Sequence, residues 1–326
     1  MKTFGAALAV ATTLAGSLAA AHAQSITLRA ADTQPADYPT VQALKYMGQL
    51  LKERTNGRIN MQVFDSHQLG EEKETIEQTK FGVIDIDRVN FAPLNGIVPE
   101  TLVPCMPYIF TSKQNMHDVM WGKIGQDILD SFKSHGFIGL AVYDSGARSF
   151  YDTKHPIKTL DDMKGLKIRV QQSDLFLDMV KALGANPTPM AYGEVYSGLQ
   201  TGLIDGAENN WPSYESSQHY KVAPYYSLDQ HSMCPEVVMM SKVSWDKLSP
   251  DDQKAVRQAA QDSQKKMSEL WDAREEQSKK VIKAANVKVN EVDVKPFIKA
   301  VQPVYDKFIT TQALKDLVSR IRDTQK

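Results

Sequence analysis

The sequence predicts an α/β protein of two lobes joined by a hinge, with one long helix spanning both. Three observations carry that expectation. Between Ser25 and Val89, strand-like alternation and helical patterning take turns, which implies a parallel sheet with right-handed crossovers. The same grammar returns between Leu166 and Ala207. From Asp251 to Val289 no Gly or Pro interrupts a helical pattern, and about 35 helical residues span ~50 Å, more than the ~30 Å diameter of a small domain.

Ser25 to Ala31 is the first expected strand, followed by a helix from Thr40 to Arg54 that stops at Asn56-Gly57. Ile59, Met61 and Val63 alternate with Asn60 and Gln62 in a second strand. Glu71-Glu72 after Gly70 opens a helix that ends near Phe81-Gly82, and Val83 to Val89 is the third strand. Later, Leu166 to Val170 is a strand and Ser173-Asp174 caps a helix ending at Gly184. A further helix from Gly193 to Thr201 stops at Gly202 and feeds a strand, Leu203 to Ala207. Gln78 to Asp85 and Leu199 to Asp205 both run helix end, Gly, two aliphatics, Asp, as if both lobes used one turn. Phe137 to Val142 reads as a buried strand leading into a turn at Asp144-Ser145-Gly146, and Val237 to Met240 leads back. Ser249-Pro250-Asp251-Asp252 is a strong start for the long helix, whose apolar stripe is Val256, Ala260, Met267, Leu270 and Trp271.

The expected organisation is a signal peptide at 1–23, lobe one at 24–143, lobe two at 144–236, a return to lobe one at 237–248, the bridging helix at 249–289 and a C-terminal segment at 290–326 that helps complete lobe one. The first 23 residues carry Lys2, then an uncharged apolar or small stretch from Phe4 to Ala20, then Ala21-His22-Ala23 as a small-x-small cleavage site. The run is too rich in Ala, Gly and Thr for a membrane span. Cleavage after Ala23 and export to the periplasm are expected, and losing Lys2 takes the net charge from -1 to -2. Neither value marks a nucleic-acid surface or a polybasic membrane patch. Cys105 and Cys234 are the only cysteines; a disulfide and two buried thiols are equally compatible with the sequence. A monomer is the default expectation.

Hydrolase, metalloprotease, Walker and dinucleotide motifs are absent, no cofactor is implied, and no Cys/His cluster suggests a metal. His67, His117, His135, His155 and His219 read as surface or loop residues; His231 is the one near a pocket, through Cys234 and Glu236. Trp211 is the tryptophan best placed to line a site. Arg169 alternates with Ile168 and Val170 on an apolar strand, so it either pairs with an internal acid, Glu194 or Glu208, or is aimed at a ligand.

Gln68-Leu69-Gly70-Glu71-Glu72, the Gly82-x-x-Asp85 turn, the long late helix and above all Leu166 to Asn209 make the chain resemble the periplasmic solute-binding proteins of the tripartite ATP-independent (TRAP) transporters. The resemblance covers essentially the whole mature chain. It implies a periplasmic-binding-protein fold, a membrane permease as partner, and a ligand carboxylate bridged by Arg169, the Arg of a Leu-x-x-Arg-Val strand. A guanidinium fork fits a planar carboxylate with two parallel hydrogen bonds, which Lys cannot reproduce. It further implies ligand roles for Arg148, Asn209 and Tyr192, and for Asp32, Glu72, Asn90 and Glu236 on the first lobe. That acceptor-rich set suits the hydroxyls of a sugar acid and repels a second carboxylate. Glu208-Asn209-Asn210-Trp211 also resembles the hexuronate-binding branch. The competing expectations are a C4-dicarboxylate or 2-keto acid in the same fold, supported by the arginine pair, and a secreted hydrolase or lyase using Glu72 and Glu236 as an acid/base pair.

Overall fold

The computed structural model describes residues 25–325, so the expected signal peptide and its cleavage site after Ala23 lie outside the described residues. Two mixed sheets form the two lobes. In lobe one, β1 (Ile26–Asp32) lies between β2 (Ile59–Phe64) and β3 (Ile86–Asn90), all parallel. β10 (Glu236–Ser241) pairs antiparallel with β3 and, on its other side, with β4 (Phe137–Tyr143). In lobe two, β6 (Lys167–Val170) lies between β7 (Asn186–Pro189) and β8 (Gly206–Asn209), again parallel. β5 (Arg148–Asp152) pairs antiparallel with β8 and with β9 (Tyr225–Ser232), and β11 (Lys288–Glu291) adds a parallel edge. Without β11 the two sheets have the same order and polarity.

The repeated Gly-x-x-Asp segment is one clasp used twice. Gly82 and Gly202 end their helices at φ 76° and 72°, a left-handed conformation that costs glycine little. Arg29 N donates to Asp85 Oδ2 at 2.7 Å while Asp85 N donates back to Arg29 O at 3.0 Å. Lys167 N and Asp205 make the same pair at 2.8 and 2.7 Å. Because the Asp side chain takes the first rung, strand pairing starts beyond it. β3 therefore begins at Ile86 instead of Val83, and β8 at Gly206 instead of Leu203.

Besides the long helix, two strand-to-strand crossings join the lobes, from β4 to β5 through Asp144–Ala147 and from β9 to β10 through Met233–Pro235. Each of these two crossings delivers a central strand, so each lobe is completed by chain from the other. Glu236 already pairs with Asn90 and so belongs to lobe one. A Cys105–Cys234 disulfide ties the second crossing to lobe one.

The long helix runs from Pro250 to Ala284, with Ser249 accepting the Asp252 N–H as its cap. Val256, Ala259 and Met267 enter the lobe-one core and Ile282 the lobe-two core. Trp271 sits between, edge-on to Tyr38 at 6.0 Å and so close to Gly146 that a Cβ there would lie 3.0 Å from the indole. The helix stops short of the expected Val289: Asn286 turns left-handed at φ 58° and Lys288–Glu291 leave as β11. Ser173 stands at an N-cap position, but its hydroxyl donates instead to Asn95 Oδ1 of lobe one at 2.8 Å. Three C-terminal helices bring Phe297, Val304, Leu317 and Ile321 into a core shared by both lobes. Among the described residues no helix is long and apolar enough to cross a membrane.

Candidate functional site

Between the lobes lies a cavity lined almost entirely by polar side chains, including seven of the eight expected residues: Glu72, Asn90, Arg148, Arg169, Tyr192, Asn209 and Glu236. Asp32 does not line it. A larger groove, bordered by Ile76, Ile97, Leu102, Leu175 and Phe308, has no arginine in its wall.

Arg169 is held by strand β6 and is buried. Its Nε and Nη2 both donate to Met190 O, at 3.0 and 2.8 Å, which fixes the fork without neutralising it. No carboxylate of the described residues ion-pairs with it, so neither Glu194 nor Glu208 fills the role the sequence offered them. Burial lowers its pKa, and the Tyr192 ring lies under it with the centroid 6.0 Å away. Tyr192 is anchored through its hydroxyl to Ser217 Oγ at 2.5 Å. A dehydrated guanidinium without an anion is a costly arrangement that a carboxylate ligand relieves.

Arg148 shares the cavity but is already paired. Its Nε and Nη2 grip both oxygens of Glu208, the latter at 2.9 Å, and Nη1 donates to Asn209 Oδ1 at 2.9 Å. Behind them His231 contacts Glu208 at 3.4 Å and Asp229 at 2.9 Å. Burial alone would raise the Glu208 pKa; Arg148 and His231 outweigh it and hold it at about 2. Gln171 bridges the lobes when its amide is oriented to satisfy both neighbours, nitrogen to Asn90 Oδ1 at 3.0 Å and oxygen to Arg148 at 3.1 Å.

The lobe-one wall is organised by a residue the sequence reading missed. Arg88, wholly buried on β3, donates to Asp32, to Glu236 Oε2 at 2.9 Å, to Glu72 Oε1 at 3.5 Å and to Thr33 Oγ1 at 3.1 Å. Three carboxylates against one guanidinium leave two net negative charges when all are ionised. Asp32 spends its oxygens on Arg88, Thr40 and the Gln34 N–H, which is why it stands behind the cavity wall. Burial, then Glu72 and Asp32, push Glu236 up to about 7 against the pull of Arg88. Thr33, Gln34, Gln171 and Ser213 complete the lining and were not singled out from sequence. The available signal was weaker than the one that flagged Arg169: Arg88 lies between Asp87 and Val89, in a strand that also holds Asn90.

Other expectations are corrected. His117 and His219 are buried, His117 against Asp144 at 2.7 Å and His219 against the Tyr151 hydroxyl at 2.8 Å. Trp211 packs edge-on to Tyr226 at 4.5 Å and does not line the cavity. No cluster of His, Cys, Asp and Glu among the described residues is arranged to hold a metal.

The profile of the family described as DctP, bacterial extracellular solute-binding protein family 7, matches residues 30–312. A solute-binding protein of Chromohalobacter salexigens is 44% identical over 93% of this chain and 91% of its own. Two crystal structures of TRAP periplasmic solute-binding proteins superpose closely. One, from a Bradyrhizobium species in complex with α/β-D-galacturonate, has a TM-score of 0.90 and 53% identity over 91% of this chain and 99% of its own. The other, from Pseudomonas putida F1 with bound D-glucuronate, has a TM-score of 0.89 and 41% identity over 91% and 97%.

Proposed function

Since the chain belongs to family 7 of the bacterial extracellular solute-binding proteins, the binding components of TRAP transporters, we propose that it captures a hexuronate, galacturonate or glucuronate, in the periplasm and delivers it unaltered to a membrane permease. One observation carries the reading: Arg169 is a buried guanidinium with a fixed fork and no carboxylate of its own. The ligand carboxylate meets that fork from lobe two, while the hydroxyls turn toward the acidic wall of Glu72 and Glu236 in lobe one. A second carboxylate on the ligand would meet net negative charge there, which disfavours C4-dicarboxylates. Glu72 and Glu236 both accept from Arg88 Nη1, so they lie on one wall and do not face each other across the ligand, and this supports capture without chemistry.

Isothermal titration of the mature protein against D-galacturonate, D-glucuronate, succinate, malate and 2-keto acids tests the reading, with mass spectrometry of the recovered ligand. Tight binding of a hexuronate, recovered intact, is expected. Tight dicarboxylate binding with inert uronates, or a chemically altered ligand, overturns it.

A further inference from the structure

We propose that Gln34 is a specificity-determining residue of the cavity, whose side-chain amide hydrogen-bonds a ring hydroxyl of the ligand; this rests on the sugar-acid reading above. Gln34 lines the cavity and is only 6% exposed. Its Oε1 is buried with no partner, and no described residue accepts from its Nε2. A buried amide oxygen left unpaired is costly unless something else meets it.

The backbone that presents the amide is fixed. Gln34 N donates to Asp32 Oδ1 at 2.8 Å, and Ser66 N donates to Gln34 O at 2.8 Å. Asp32 is itself held by Thr40 at 2.7 Å and by Arg88. The neighbouring Thr33 hydroxyl accepts from Arg88 at 3.1 Å. The side chain is thus unpartnered on a turn secured from both sides.

The chemistry of the wall says what the amide adds. Carboxylates only accept hydrogen bonds, and the Arg88 Nη groups are spent on carboxylates and Thr33. A sugar hydroxyl both donates and accepts. Glu72 and Glu236 can take its hydrogen, and its oxygen then needs a donor, which Gln34 Nε2 supplies; Gln34 Oε1 accepts from the next hydroxyl round the ring. Alternating carboxylate and amide groups of this kind match vicinal hydroxyls, not an aliphatic chain.

The test measures hexuronate affinity and ligand-free melting temperature for Gln34→Ala, Gln34→Glu and the parent, using D-galacturonate, D-glucuronate and their monodeoxy analogues. Gln34→Ala should melt no lower than the parent when empty, because the amide has no partner to lose, whereas Gln34→Glu adds a carboxylate to an acidic wall and should melt lower. Gln34→Ala should weaken the hexuronates about tenfold. One deoxy analogue should bind parent and variant alike, since it lacks the hydroxyl in question. For Gln34→Ala, unchanged hexuronate affinity, an equal deficit for every analogue, or a lowered melting temperature in the empty protein overturns the assignment. If Arg169→Lys loses hexuronates while Gln34→Ala retains them, Gln34 alone is wrong. If the parent binds no hexuronate, the underlying reading falls with it.

Discussion

Arg88 and Glu208 occupy the same position in the two lobes with opposite charge. Each lies three residues beyond the Asp of the shared clasp, Asp85 or Asp205. Each pairs with the first residue of the strand arriving from the other lobe, Arg88 with Glu236 and Glu208 with Arg148, both at 2.9 Å. One architecture, with its ion pair reversed, gives an acidic wall facing a basic one. That polarity orients an anionic ligand carrying hydroxyls at its other end.

Arg88 should matter for folding as well as for the wall. Arg88→Met leaves Asp32 and Glu236 buried without their counter-ion, which typically costs about 3–5 kcal/mol. Urea unfolding of the ligand-free protein measures it. The double variant Arg88→Met/Glu236→Gln should recover part of the loss, because one stranded charge has gone. Equal stability of parent and Arg88→Met would show that the carboxylates do not depend on Arg88.

Arg169 should behave in the opposite way. It has no anion to strand, so Arg169→Ala should change ligand-free stability by no more than about 1 kcal/mol. Hexuronate binding should nevertheless fall by about 2–5 kcal/mol, with Arg169→Lys recovering little. Affinity within a few-fold of the parent in both variants would remove Arg169 from the ligand's first contacts.

The contrast between these arginines marks how far the sequence could be read. Arg169 stood out against Ile168 and Val170 on an apolar strand. Arg88 has Asp87 beside it and Asn90 two residues on, and every residue of Ile86–Asn90 is buried, so no alternation of apolar and polar positions singled it out. The clasps at Asp85 and Asp205 were legible since Gly and Asp act locally. Strand β7 was not: it carries Pro187 and Pro189, tolerable only because it lies at the sheet edge. Which acid pairs with which arginine depends on β5 and β10 crossing between lobes, a long-range fact that no local pattern contains.

Glu72 offers the cleanest test of sugar acid against dicarboxylate. Its Oε1 serves Asn90 N at 3.0 Å and Arg88 at 3.5 Å, leaving Oε2 for a ligand hydroxyl. Glu72→Ala should weaken hexuronates by about 1–3 kcal/mol. Succinate or malate should bind no worse, and better if the lost charge repelled them. A parallel loss for both ligand classes would mean that Glu72 supports the wall without sorting ligands.

Stability of the empty protein should depend on pH through Glu236. Its folded pKa of about 7 lies above the ordinary glutamate value of about 4.3, so the native state holds an extra proton between them. That contribution is fully present below the ordinary value and is lost as pH rises through about 7, at most about 4 kcal/mol. Arg88, Asp32 and Glu72 face this carboxylate, and Glu236 also acts on Arg148 across the hinge. Glu208, held near 2, works the other way: its stabilisation is lost as pH falls below its ordinary value. Melting temperature should therefore peak in mildly acid buffer, and Glu236→Gln should flatten the fall toward pH 7. A fall of undiminished slope in that variant would assign it to another group.

The mouth of the cavity carries a contact that closure should make and opening should break. Glu71 of lobe one accepts from Gly193 N of lobe two at 3.3 Å, with His67 Nδ1 3.0 Å from the same carboxylate oxygen. Gly193 is not left-handed, so its lack of a side chain serves approach and not backbone conformation: a Cβ there would lie 2.6 Å from Glu71 Oε1. Gly193→Ala should thus push the Glu71 carboxylate aside and break this contact without straining the chain. If capture proceeds by lobe closure, hexuronate should compact the parent in small-angle scattering and compact the variant less. Affinity should drop by about threefold to tenfold, mainly through faster release, because the contact exists only in the closed form. Each lobe should stay rigid while the crossings at Asp144–Ala147 and Met233–Pro235 absorb the rotation. An unchanged radius of gyration in the parent would mean a preformed cavity, and a Gly193→Ala protein that closes and binds like the parent would show that the Glu71 contact follows closure without holding it.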